Sequence, residues 1–246
     1  MRDIPNIKLI KRNRQIGQIT SIAGLVVLVG GLAYSFFQTS QVDPEATVNP
    51  NLDPTAYIPF ITLFIGFILS NIGIYFANRY VRAPVPHQSL EKALKGLDDR
   101  YDQYHYYFPS VPHVLFSPSG VFVFVTRYQG GKITWDDTKK RLVHSGGNMF
   151  RTLFGQEGMG NPIAELEFQM KEIEKFLRKH LPEDRLPTLN GAIVFLNPDM
   201  ELVNPENSPI LLIHDRDLKE YLRKLPKKEG LTLDEIDKLE EAIGLE

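Results

Sequence analysis

Two long apolar runs near the start constrain this chain more than any other feature. Residues 15–42 contain no Asp, Glu, Lys or Arg, and neither do residues 54–78. At ~1.5 Å per residue, a helix of either length crosses a hydrocarbon core of about 30 Å. The pattern predicts transmembrane helices at about 16–37 and 57–77, within an N-terminal anchor spanning 1–82. Gly24, Gly30, Gly31, Gly66 and Gly73 are spread through the two runs and would let the helices approach closely. A cleaved signal peptide competes with this reading. However, the first run is longer than a usual signal core, and cleavage would leave the second run as an anchor.

The flanking charges orient the hairpin. Arg2, Lys8, Lys11, Arg12 and Arg14 precede the first run, and Arg79 and Arg82 follow the second. The connection between the runs carries Asp43, Glu45 and Asp53 with no Lys or Arg. The positive-inside rule then places both chain ends in the cytoplasm, in a multi-pass protein of the cell membrane.

Residues 83–246 are long enough for one domain with its own core. Ser89 reads as the N-cap of a helix to about Arg100, with Leu90, Leu94 and Leu97 on one face. Short strands are predicted at 104–108, 113–117, 121–128 and 132–136, with a further one at 141–144. The stretch GVFVFVTRY is almost continuously apolar and reads as a strand buried on both faces. A helix follows from Pro162 to about His180, then apolar strands at 191–196 and 210–213 and a short helix near 218–225. A last helix opens on the capping box Thr232–Glu235. This order implies an α/β domain around a mixed sheet flanked by helices, preceded by the two-helix hairpin.

Composition excludes some chemistry. The chain has no Cys, so disulfides, thiolate metal sites and cysteine catalysis are out. Of 28 Lys and Arg, five precede residue 79, as do four of 30 Asp and Glu. The remainder is therefore slightly acidic and exerts no global attraction on a polyanion. The glycines between Ser145 and Asn161 lack the Gly-Lys-Ser/Thr ending of a phosphate-binding loop.

Several stretches together resemble the nuclease-related domain (NERD) family. They are the leading helix LEKALKGLDDRY, the hairpin HVLFSPSGVFVFVTRYQGGKI, Asn161-Pro162 opening the second long helix, and the tail LTLDEIDKLEEAIG. The resemblance covers residues 90–243 and implies a restriction-endonuclease-like, PD-(D/E)xK core. It also implies a divalent-metal site. An Asp at a strand start and the Glu of a Glu-x-Lys on the next strand would hold Mg2+, with a Glu on the first helix completing the set. Here the matching positions are Pro112 for the Asp, Val125 for the Glu and Arg127 for the Lys, so only Glu91 survives as a match. The resemblance therefore implies a retained fold with a degenerate catalytic motif, and no cofactor is expected. Mg2+ enters only if an active nuclease uses a rearranged site.

The candidate residues follow. Glu91 is either the surviving ligand or a solvated helix residue paired with Lys95. Arg127 and Gln129 alternate on one face of the central strand, where they would contact a phosphate or base, or simply emerge into solvent. Lys132 and Arg151 extend a local basic patch with Lys139, Lys140 and Arg141. His113 reads as a lone strand-start histidine or a replacement ligand. Met149, Phe150, Leu153, Phe154 and Met159 are apolar for a loop and would pack on the core, cover the groove or meet a partner or the bilayer. The partners expected are the lipid bilayer together with a nucleic acid or a protein, and no small-molecule cofactor. Binding leads over metal-dependent cleavage and over a purely structural membrane-assembly role.

Overall fold

The computed structural model describes residues 1–40, 57–83, 85–146, 158–227 and 230–245. The chain divides into two compact units: Lys11–Ala83, and Met1–Ile10 together with Pro84–Glu246.

The first unit is built from α1 (Ile7–Ser40) and α2 (Ile58–Tyr80). Both helices are long and apolar enough to cross a membrane. They run antiparallel along a seam of glycines. Gly17, Gly24 and Gly31 of α1 are buried, as are Gly66 and Gly73 of α2. The spacing is seven residues on each helix, which keeps one narrow face turned to the partner. A Cβ on Gly66 would stand 2.5 Å from Leu28 Cγ, and one on Gly24 2.9 Å from Ser70 Oγ. Gly31 faces Thr62 and Gly73 faces Ser21 still more closely. Gly30, read from the sequence as another contact position, instead has nothing within 4 Å. One residue is a rotation of about 100°, enough to take Gly30 off the seam. The large side chains point outward, with Phe36 and Phe64 among the most exposed.

The second unit is a sheet between helices. Its strands are β1 (Arg2–Pro5), β2 (Asp102–Phe108), β3 (Val111–Ser117), β4 (Gly120–Arg127), β5 (Gly131–Asp136), β6 (Arg141–Ser145), β7 (Leu189–Phe195), β8 (Met200–Val203) and β9 (Leu211–His214). Its helices are α3 (Pro86–Leu94), α4 (Pro162–His180), α5 (Asp215–Lys224) and α6 (Leu233–Ala242). The main sheet has the order β1-β2-β3-β4-β7-β9, and a smaller one the order β6-β5-β8. In the main sheet β2, β3 and β4 form an antiparallel meander. Strands β1, β7 and β9 join in parallel, so the sheet is mixed.

Strand β4 explains the layering. Its alternation sends Val121, Val123 and Val125 into the core shared with Leu166, Ile173 and Leu177 of α4 and Leu239 of α6. Phe122 and Phe124 enter the opposite core with Leu90 and Leu94 of α3 and Leu218 and Leu222 of α5. Each such side chain contributes ~1.5–3 kcal/mol by leaving water. Gly191 lets α4 lie close on β7, because a Cβ there would stand 2.5 Å from Met170 Sδ.

Two local readings change. The helix predicted from Ser89 to Arg100 begins earlier, at Pro86, and ends at Leu94. Pro at the first helical position fixes the start, and Ser89 lies buried inside the helix. The basic flank read as part of the anchor contributes β1 to the sheet edge. Arg2 forms a forked pair with Asp102 at 2.7 and 2.8 Å and also reaches Glu240 at 3.1 Å. Asn6 then caps α1 by accepting from the Leu9 N–H at 3.0 Å.

Candidate functional site

The sequence reading puts a groove at the end of β4, and that strand carries no acid. Val125 is 1% exposed and packs in the core. Arg127, two residues on, has a side chain that is mostly buried. Its Nη2 donates to Glu165 Oε2 at 2.5 Å, its Nε to the Met159 carbonyl at 3.0 Å and its Nη1 to the Thr126 carbonyl at 2.9 Å. Gln169 Nε2 donates to the other Glu165 oxygen at 3.1 Å. Arg127 therefore ties β4 to the first turns of α4, and a charge-assisted bond of this kind is roughly twice as strong as a neutral one. Glu165 was not singled out from the sequence. Its signal was available, since Asn161-Pro162 opens a helix and Glu165 is the acid in its first turn.

The remaining candidates are dispersed. Glu91 stands exposed on α3. Gln129 is buried just past the end of β4. Lys132 belongs to the smaller sheet, where it lies 3.5 Å from Glu201. Arg151, and with it Met149, Phe150, Leu153 and Phe154, lies outside the described residues. Met159 packs partly buried against the core. Lys139, Lys140 and Arg141 are exposed around the β5–β6 turn. Asp136 accepts the Thr138 and Lys139 N–H groups of that turn, and Asp137 accepts from Trp135 Nε1. Both acids thus serve the hairpin, which presents a basic tip.

His113 is not alone, which the sequence did not reveal. It pairs with His105 across β2 and β3, with Nδ1 to Nδ1 at 2.8 Å. His105 Nε2 meets Asp3 Oδ1 of β1 at 3.1 Å. The His87 ring of α3 lies 5.9 Å from that of His105. Tyr106, in a β2 bulge with φ 64°, sets its ring 5.2 Å from His113 and 6.0 Å from His87. A left-handed backbone is costly for an aromatic residue and marks a place held by its surroundings. Burial and the neighbouring His105 pull the His87 pKa down to about 4.

The chemistry of this cluster is that of a clasp. Asp3, His105 and His113 form one hydrogen-bonded chain that engages both ring nitrogens of His105. Among the described residues no three His, Asp or Glu side chains gather as metal donors. His105 is fully buried and His113 is 3% exposed. What the cluster joins is β1, β2, β3 and α3.

No protein-family model, curated protein or solved structure matches the chain.

Proposed function

We propose that this protein is a membrane-anchored, catalytically degenerate relative of the nuclease-related domains that acts by binding rather than cutting. In this reading α1 and α2 span the membrane, both chain ends face the cytoplasm, and the α/β unit is a restriction-endonuclease-like core. The mixed sheet flanked by helices supports this reading at the level of an α/β class. The observation that carries the proposal is the inside of β4. A buried valine stands where the family's carboxylate would stand, and the cation beside it is committed to Glu165. Pro112, Val125 and Arg127 offer no anionic oxygen, so this donor set does not fit Mg2+.

Binding then falls to the exposed basic hairpin of Lys132, Lys139, Lys140 and Arg141, which suits a nucleic acid or an acidic protein face. The test uses the full chain in nanodiscs with plasmid, single-stranded DNA and RNA, in Mg2+ or Mn2+. The expected result is no cleavage, together with salt-sensitive retention of nucleic acid that K139A/K140A weakens and Glu91→Ala does not. Cleavage abolished by Glu91→Ala would reverse the proposal in favour of a rearranged metal site. Absence of both cleavage and retention would leave the acidic protein face as the partner.

A further inference from the structure

α2 carries two opposed faces, and the glycine seam accounts for only one. On the other stand Phe60, Phe64, Phe67, Asn71 and Tyr75, separated by four, three, four and four residues. This is the spacing of a helix face that interlocks with another helix. All five are exposed, Phe60 at 71% and Phe64 at 66%. Asn71 is the amide within that aromatic ridge. Its described hydrogen bond is local, from Nδ2 to the Phe67 carbonyl at 2.8 Å. That leaves the second N–H and the carbonyl oxygen facing outward.

Asn71 precedes Arg79, the next charged residue, by eight positions, or ~12 Å along a helix. In a bilayer that depth is hydrocarbon, where an amide without a partner is costly. From Phe60 to Asn71 the face carries no Asp, Glu, Lys or Arg, and the first charge beyond it is the Arg79 guanidinium, stacked on the Tyr75 ring at 3.8 Å. An asparagine amide is both donor and acceptor. Two copies related by a twofold axis place the same residue on both sides and satisfy each other.

Resting on the membrane-spanning reading above, we infer that the outer face of α2 is a self-association surface, on which Asn71 of one copy hydrogen-bonds Asn71 of a second copy within the bilayer while Phe60, Phe64 and Phe67 pack around the pair.

Because the chain lacks Cys, one introduced thiol reports cleanly. Phe64→Cys lies on the proposed face. Val29→Cys lies at matching depth on exposed α1, given that Gly31 meets Thr62 across the seam. Full-length chains in native membranes are washed with alkaline carbonate and oxidised with copper phenanthroline. The expected result is a carbonate-resistant chain whose Phe64→Cys form gives a disulfide dimer and whose Val29→Cys form does not. Adding Asn71→Ile lowers the dimer yield about three- to tenfold, in keeping with one interhelical hydrogen bond, whereas Asn71→Gln retains it. Release by carbonate would overturn the anchor and the pairing together. A retained chain with equal cross-linking at both thiols, or with a yield indifferent to Asn71→Ile, would overturn the pairing and leave the anchor standing. Adducts with a different protein would overturn the second copy as the occupant.

Discussion

The two units reach tight packing by opposite means. In the α/β unit, large side chains fill the space, and Tyr104, Phe116, Phe122, Phe124 and Phe195 all lie at 2% exposure or less. In the hairpin unit the contact is made by side chains that are missing, and the bulky residues turn outward. A core surrounded by water gains by hiding apolar area. Helices in lipid gain nothing from hiding leucine, and they associate by close backbone approach instead. The same residue classes thus hold the molecule together in one unit and face its surroundings in the other.

Truncation and enlargement should break the two units in opposite ways. The largest effect is expected from Phe124→Ala, which empties both ring and contacts in the α/β core. It is predicted to cost ~3–5 kcal/mol, read from near-ultraviolet circular dichroism during urea unfolding of the full chain. Enlargement acts on the hairpin. Gly73→Leu drives a side chain into Ser21 and is predicted to weaken helix pairing by ~1–3 kcal/mol, whereas Gly30→Leu meets open space and changes it by less than ~0.5 kcal/mol. Energy transfer between labels on α1 and α2 would separate the two variants.

Smaller effects sharpen the reading of the polar groups. Arg127→Ala removes three hydrogen bonds and leaves Glu165 with the Gln169 amide alone, so it is predicted to destabilise the α/β unit by ~1–3 kcal/mol. A ligand-contacting arginine would instead lower affinity and leave stability intact. The His87 pKa is lowered from 6.5 to about 4 in the fold, so the neutral ring is the stabilising form. Its contribution is complete above pH 6.5 and declines as pH falls through that window towards 4. After solvent screening the loss is about 1–2 kcal/mol. His87→Phe should flatten that part of the pH profile of thermal unfolding.

What the sequence disclosed and what it hid divide along contact range. Local signals carried well. The capping box is present, with Thr232 N–H donating to Glu235 at 2.8 Å. Leu90 and Leu94 are buried as their helical spacing required, and Leu97 is buried beyond the helix end. Gly24, Gly31, Gly66 and Gly73 line the seam, although Gly17 also belongs there and Gly30 does not. Long-range pairings did not carry. Strand β1 has four residues and finds its partner about 100 positions away, so its Arg2 read simply as a basic flank. The clasp is assembled from residues 3, 87, 105 and 113, and no window of sequence contains all of them. Arg127 looked exposed because its partner Glu165 lies 38 residues away, in the first turn of α4.

Under the proposed reading one unit faces water and the other lipid, which requires α1 and α2 to cross the membrane with both ends inside. Intact cells carrying Glu45→Cys or Lys139→Cys in this Cys-free chain, treated with a membrane-impermeant maleimide, test that directly. The account predicts labelling of Glu45→Cys in intact cells and of Lys139→Cys only after lysis. Labelling of Lys139→Cys in intact cells, or of Glu45→Cys only after lysis, would contradict it.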